Sequence, residues 1–155
     1  MSLDSVKAFF AEQAPDIAII ETQESSATVT LAAAAHGVEP ARIAKTLSLR
    51  IGDKVVLVVT SGIGRLDNRK AKATFGGKPR MLDAQEVVAI TGHPVGGVCP
   101  FGLPSPLPVY CDISLKAFDE VVPAAGSTQS ALRISPERMV ALTGAEWVDV
   151  CQEPE

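Results

Sequence analysis

A chain of 155 residues has the length of one domain and can bury roughly two-thirds of its unfolded surface without disulfide or metal support. Its formal net charge of −4 removes any global attraction for nucleic acid. Aromatics make up only 5%, so the core must come from Ala, Val, Leu and Ile. Three scattered cysteines (Cys99, Cys111, Cys151) fit no disulfide framework, and MSLDSVKAFFAEQ, with an acid at Asp4, is neither a signal peptide nor a membrane span. The expectation is a cytoplasmic protein with reduced thiols and no membrane partner.

In chain order, residues 3–13 read as a helix with Val6, Phe9 and Phe10 on one side. IAIIET (17–22) reads as a short strand, and 26–36 as a helix capped by Ser26 and ended by Gly37. Pro40 suits the first turn of a short helix, PARIA. The clearest hairpin follows: KTLSLRI (45–51), a Gly52-Asp53 turn and KVVLVVT (54–60). Asp67 caps a helix running to Phe75, stopped by Gly76 and Gly77. Asp83 and Glu86 form a capping box ahead of VVAIT, closed by Gly92. LPVYCDI (107–113) is a strand and SLKAFDE a short helical piece. EVVPAA and SALRIS (core 129–134) are strands around a turn at Gly126. Ser135 and Pro136 start a last helix ended by Gly144, and AEWVDV is a final strand. The lack of a regular βαβ rhythm argues against an open parallel Rossmann-type sheet. The expected fold is α+β, a mixed, barrel-like sheet surrounded by helices, with residues 1–155 forming one domain.

Most ordinary catalytic devices are missing. The two histidines, His36 and His93, stand in no metal-ligand spacing. There is no G-x-S-x-G elbow and no nucleoside-triphosphate loop, so neither a metal nor a cofactor is expected. Three features remain. Six of the fourteen basic residues (Arg65, Arg69, Lys70, Lys72, Lys78 and Arg80) lie between positions 65 and 80 against one acid, Asp67. This run is either a solvated helix face or a phosphate-binding patch on an acidic body. Lys45 shares the strand face of Leu47 and Leu49, opposite Thr46, Ser48 and Arg50. An ammonium there either snorkels at the sheet end or stands at a pocket rim, ready for an anion or a developing oxyanion. Finally, GHPVGGVCPFGLPSPLP (92–108) is too broken for a helix and too apolar for an idle loop. Gly96 and Gly97 permit close backbone approach, and its prolines stiffen it, so its amides can be offered to a ligand. Cys99, with His93 six residues before it, raises a thiol-hydrolase reading with no third partner in view.

These features occur in the same order in a known family. "IAKTLSLRIGDKVVLVVT", "RLDNRKAKATFGGKPRMLDAQEVVAITGHPVGGVCPFGLP" and "LPVYCDISLKAFDEVVPAAG" together resemble the YbaK / prolyl-tRNA-synthetase-associated domain, from about residue 20 to 150. The most specific pieces are Lys-Thr-Leu at 45–47, Leu66-Asp67 before the basic helix, and a G-x-x-x-P motif, Gly96 to Pro100. The resemblance implies an aminoacyl-tRNA deacylase acting in trans on misacylated tRNA, usually tRNA(Pro), with prolyl-tRNA synthetase or an elongation factor as possible protein partners. It implies that Lys45 is the essential lysine and that the Gly97–Pro100 loop, including Val98 and Cys99, holds the aminoacyl-adenosine end, with the amides of Gly97 and Val98 as donors. Thr46, Asp112 and Gly126 fall at pocket or pocket-supporting positions. Two departures bear on the substrate. Cysteine-clearing members carry a serine where this chain has Ala124, and aromatic residues near the segment that here holds Ile19, Ile20 and Thr28. The departures point to alanine or a similarly small apolar residue. A non-catalytic tRNA- or synthetase-binding module of the same fold is the alternative.

Overall fold

The computed structural model describes residues 2–153. It runs α1 (Ser2–Gln13), β1 (Ile20–Glu21), α2 (Val29–His36), β2 (Ile43–Ile51), β3 (Lys54–Ser61), α3 (Asn68–Phe75), β4 (Arg80–Met81), α4 (Ala84–Thr91), β5 (Val109–Asp112), β6 (Val122–Pro123), β7 (Ser130–Ala131), α5 (Pro136–Thr143) and β8 (Glu146–Val148). Short 3-10 segments sit at Pro40–Arg42 and Ile113–Ala117.

The local punctuation in the sequence sets most of these boundaries. Asp67, Asp83 and Ser135 each accept a hydrogen bond from the backbone N–H three residues on, and Glu86 closes the capping box by returning its carboxylate to the Asp83 N–H. Helices α2 to α5 each end at a glycine in the left-handed region, where a Cβ would be strained. The first turn of α2 differs from expectation. Thr28 caps it, accepting from Leu31 N–H, while Ser26 is buried and donates to Thr128 O. The 17–22 run also shrinks to two strand residues, Ile20 and Glu21, which pair with β7, and Thr22 N–H adds one bond to Gln129 O.

The architecture is mixed α+β, as expected. β2 and β3 pair antiparallel along their whole length, from Ala44 opposite Ser61 to Ile51 opposite Lys54. β5 joins β3 in parallel and β8 joins β5 in parallel. The order β4-β2-β3-β5-β8, with β6 also on β2, leaves the sheet open, so the expected barrel-like sheet does not close. The segments around Gly126 meet through bridges Val121–Ile134 and Ala124–Ala131 rather than as full strands.

Period-2 alternation in β2 and β3 sends side chains to two cores. Leu49, Ile51, Val56 and Val58 pack with Ala71 of α3 and Val150. Ala44, Leu57 and Val59 face the larger core with Val6, Phe10, Phe101, Cys111, Leu132 and Met139. With so few aromatics, three do much of the filling there: Phe10 meets Phe101 edge-on at 4.8 Å between centroids, and Phe9 stands 5.2 Å from Phe10. This cluster ties α1 to the loop after α4. Phe10→Ala is expected to lower stability by about 3–5 kcal/mol, read as a shift of the urea midpoint at unchanged m-value.

Candidate active site

β2 is fully paired on its β3 edge but only at its two ends on the other. β6 covers Ile43 and Ala44 and β4 covers Leu49 and Arg50; between them, among the described residues, the one backbone bond to this edge runs from Leu82 N–H to Ser48 O at 3.1 Å. A cavity of about 250 Å³ occupies this interruption. Val122 and Ala124 close one end of it, Met81 and Leu82 the other, and α2 and the Gly96–Val98 loop cover it. The volume lies below the roughly 300 Å³ at which drug-sized pockets begin, so it takes a small group.

Its wall is chiefly small and aliphatic, including Ala27, Ala32, Ala44, Ala124 and Ala131, with hydroxyls from Ser26, Thr46, Ser48 and Ser130. Among the described residues, Lys45 is the one charged residue lining it, and no Asp, Glu or His does. The half-buried Lys45 donates from Nζ to Gly64 O at 2.6 Å. Burial pulls its ammonium below the usual lysine value, opposed by the nearby Cys151 and reinforced by Arg65. Thr46 Oγ1 is buried with no hydrogen-bond partner.

The glycine loop forms the facing wall. A Cβ on Gly96, which has φ +89°, would lie 2.9 Å from Ala27, and one on Gly97 would lie 2.8 Å from the Ser127 backbone, so only glycine allows both approaches. Gly97 N–H closes a turn to Pro94 O at 2.9 Å, and Gly126 N–H holds Gly97 O at 3.0 Å. Among the described residues the N–H groups of Gly96 and Val98 make no hydrogen bond, and both residues line the cavity.

The structure thus brings Lys45, Thr46, Gly96, Val98 and Ala124 to one cavity. Gly97 and Gly126 stand behind the loop as supports, and Pro100 is buried below it. Asp112 sits on β5, two strands away from the interruption, where it is buried and accepts from Val150 N–H at 2.8 Å and Ser114 N–H at 2.9 Å. Its role is to anchor the chain after β8. Cys99 is fully buried, with Sγ 3.6 Å from His93 Nε2 and 3.7 Å from Phe101 O, and lines no part of the cavity. His93 donates from Nε2 to Phe101 O at 2.8 Å, and burial holds its imidazole below the usual histidine value. Of the six basic residues, Arg65, Arg69, Lys72, Lys78 and Arg80 are exposed. Lys70 is engaged elsewhere, donating to Asp149, Cys151 O and Glu153 at 2.8–3.0 Å.

Sequence reasoning missed Ser26, Ser48, Ser130 and the apolar wall from β4 and α4. The one available signal was the Thr46-Ser48 alternation. Ser48 on that polar face is only 4% exposed, because the face lines the cavity.

This geometry belongs to an editing fold. Residues 23–142 match the family model of the aminoacyl-tRNA editing domain, and the chain belongs to that family. It is 46% identical over 155 residues to the uncharacterized protein YwhH of Bacillus subtilis, covering 99% of each chain. It is 31% identical over 117 residues to a candidate Cys-tRNA(Pro)/Cys-tRNA(Cys) deacylase, EbsC of Enterococcus faecalis, covering 74% of this chain and 71% of that one. A crystal structure of a candidate trans-editing enzyme for prolyl-tRNA synthetase superposes with TM-score 0.91 at 33% identity, covering 98% of both chains.

Burial pushes the thiols of Cys99, Cys111 and Cys151 up to about 12, so the reactive thiolate is scarce at neutral pH. The folded protein at pH 8 is expected to leave all three unmodified by iodoacetamide, while urea exposes all three, as counted by mass spectrometry.

Proposed function

We propose that this protein is a cytoplasmic aminoacyl-tRNA deacylase that hydrolyses the ester of tRNA(Pro) carrying a small wrong amino acid, alanine or one of its size. The carrying observation is the small cavity with Lys45 on its strand wall and the free Gly96 and Val98 amides on the facing loop. An aminoacyl ester is already activated, so its hydrolysis needs orientation, a placed water and stabilisation of the oxyanion. Fixed N–H donors are each worth about 10²–10³ in rate when aimed at developing negative charge, and the loop amides at Gly96 and Val98 are such donors. Lys45 acts as a cation toward the terminal phosphate or the oxyanion. An ordinary lysine, with a pKa of about 10.4, is a poor base at pH 7. The wall offers no carboxylate or imidazole to activate water, so that task falls to the ribose hydroxyl beside the ester or to a backbone carbonyl.

The aliphatic wall, with Ala124 in it, supports a small apolar side chain over a thiol. Selection by one methylene is weak, about 10–200-fold, so neighbouring substrates are also cleared, more slowly. The exposed cations Arg65, Arg69, Lys72, Lys78 and Arg80, the last also 3.7 Å from Glu86, bind backbone phosphates, and Lys70, paired to Asp149 and Glu153, holds α3 against that segment.

Incubation with alanyl-tRNA(Pro) is expected to release alanine, with Lys45→Ala lowering kcat/KM by about 10²–10³. Tight binding with no ester loss would establish the non-catalytic module instead. A panel of Ala-, Cys-, Ser- and Pro-charged tRNA(Pro) is expected to rank alanine first.

The basic face is tested separately by salt. Replacing Arg69 and Lys72 with glutamine should flatten the slope of log affinity against log salt by about 0.7–0.9 for each phosphate no longer neutralised. Lys70→Gln should leave that slope and lower thermal stability instead. An equal effect of all three on the slope would show that the ion pairs of Lys70 open on tRNA binding.

A further inference from the structure

The backbone of β2 across its interruption has a defined polarity. In a strand the N–H and C=O of one residue point to the same edge, and successive residues alternate. Ser48 O accepts from Leu82 on the β4 side, so Ala44, Thr46, Ser48 and Arg50 direct their backbone groups to that edge. Lys45, Leu47, Leu49 and Ile51 direct theirs to β3. The β6 pairing stops at Ala44 and the β4 pairing begins at Leu49. Among the described residues the N–H and C=O of Thr46 and the N–H of Ser48 are therefore left without a strand partner, on the edge that faces the cavity. Such groups inside a protein are nearly always satisfied, and the unpartnered Thr46 Oγ1 adds to the unmet polar demand at the same residue.

We infer that the aminoacyl group of the substrate fills the interruption as a strand one residue long, paired to Thr46. This inference rests on the deacylase reading. An extended aminoacyl ester presents its α-ammonium N–H and its ester C=O on one side, as a single residue of a strand does. Set antiparallel to Thr46, the ammonium donates to Thr46 O and the ester carbonyl oxygen accepts from Thr46 N–H with one lone pair, completing the two bonds of one ladder pair and leaving its second lone pair for a loop amide. The N–H of Ser48 stands next along the edge. No covalent step is added: Thr46 binds the substrate directly through its main chain. The pairing also supplies an acceptor for the α-ammonium in a cavity without a carboxylate. Because directly opposed residues put side chains on one face, an L-residue points its side chain to the face of Ala44 and Ser48. Both are buried and line the cavity, so the side chain is directed at its small, aliphatic wall.

The test uses the full chain labelled with nitrogen-15 and titrated with 3′-deoxy-3′-(L-alanylamino)adenosine, in which an amide replaces the labile ester. Expected are downfield shifts and slowed water exchange of the Thr46 and Ser48 amide protons, over the concentrations that shift Val98. Shifts at Gly96, Val98 and Ala124 with Thr46 and Ser48 unmoved would overturn the pairing and leave the deacylase reading standing. No shift at any cavity residue would also overturn it, and alanyl-tRNA(Pro) hydrolysis by the same preparation would then decide the deacylase reading alone. As a second measurement, replacing the Thr46 main-chain N–H by an ester oxygen keeps the side chain. It is expected to lower kcat/KM for alanyl-tRNA(Pro) about tenfold, the loss of one neutral hydrogen bond. An unchanged kcat/KM in that folded variant would overturn the inference.

Discussion

The unequal pairing of β2 on its two edges is the constraint from which the rest of the structure follows. On the β3 side eight consecutive pairs hold it straight, so its conformation does not depend on what lies opposite. On the other side two-residue strands cover only the ends, and their brevity has local causes. β4 is followed at once by Leu82 and by Asp83, whose side chain starts α4, so the chain must leave the sheet there. β6 ends at Pro123, whose carbonyl is turned away from β2 to accept from Leu132 N–H, and the chain then turns at Gly126, where φ is +90°. Neither segment can lengthen into the space between them without undoing a cap or a turn.

The facing wall owes its position to packing. Gly96 and Gly97 lie against Ala27 and Ser127 closely enough to exclude a side chain. Below them Cys99, Pro100 and Phe101 are buried, and Phe101 is locked against Phe9 and Phe10. The thiol and the imidazole under the loop are both kept neutral by burial. They therefore serve the loop as shape and as partners for Phe101 O. A wall fixed in this way can present amide groups without reorganising when charge develops in front of them, and that is the condition under which such donors are most effective.

The sequence was most informative where structure is local. The β2–β3 hairpin, the Asp67, Asp83 and Ser135 caps and the glycine stops follow from chemistry within a few residues, and all appear where that chemistry puts them. Strand ends that depend on distant partners were not legible. IAIIET reduces to the two residues that β7 can meet, and a barrel-like reading could not reveal that the sheet stays open. Alternation in 45–51 sets Lys45 with Leu47 and Leu49 but could not tell water from cavity on the face of Ser48. The basic run likewise reads as one patch, although the carboxylates that occupy Lys70, Asp149 and Glu153, lie about eighty positions away. The family resemblance was legible because Lys45, the glycine loop and the Gly126 turn keep their order. It could not distinguish residues that line the cavity from Asp112, which works two strands away.

The charge arrangement around Lys45 explains why its partner is a carbonyl. A carboxylate within about 4 Å would hold the ammonium firmly but would also cancel its field toward a bound anion. Gly64 O fixes Nζ at 2.6 Å and carries no net charge. The charged neighbour that most disfavours the ammonium is another cation, Arg65, and the wall it stands on has no acid. The ammonium is thus oriented without being neutralised, and burial makes it receptive to negative charge. A phosphate or an oxyanion arriving beside it relieves an electrostatic penalty already present in the free protein. The same site disfavours a second cation, so the α-ammonium of an aminoacyl group is best placed away from Nζ, at the open edge of β2 where a backbone carbonyl can receive it.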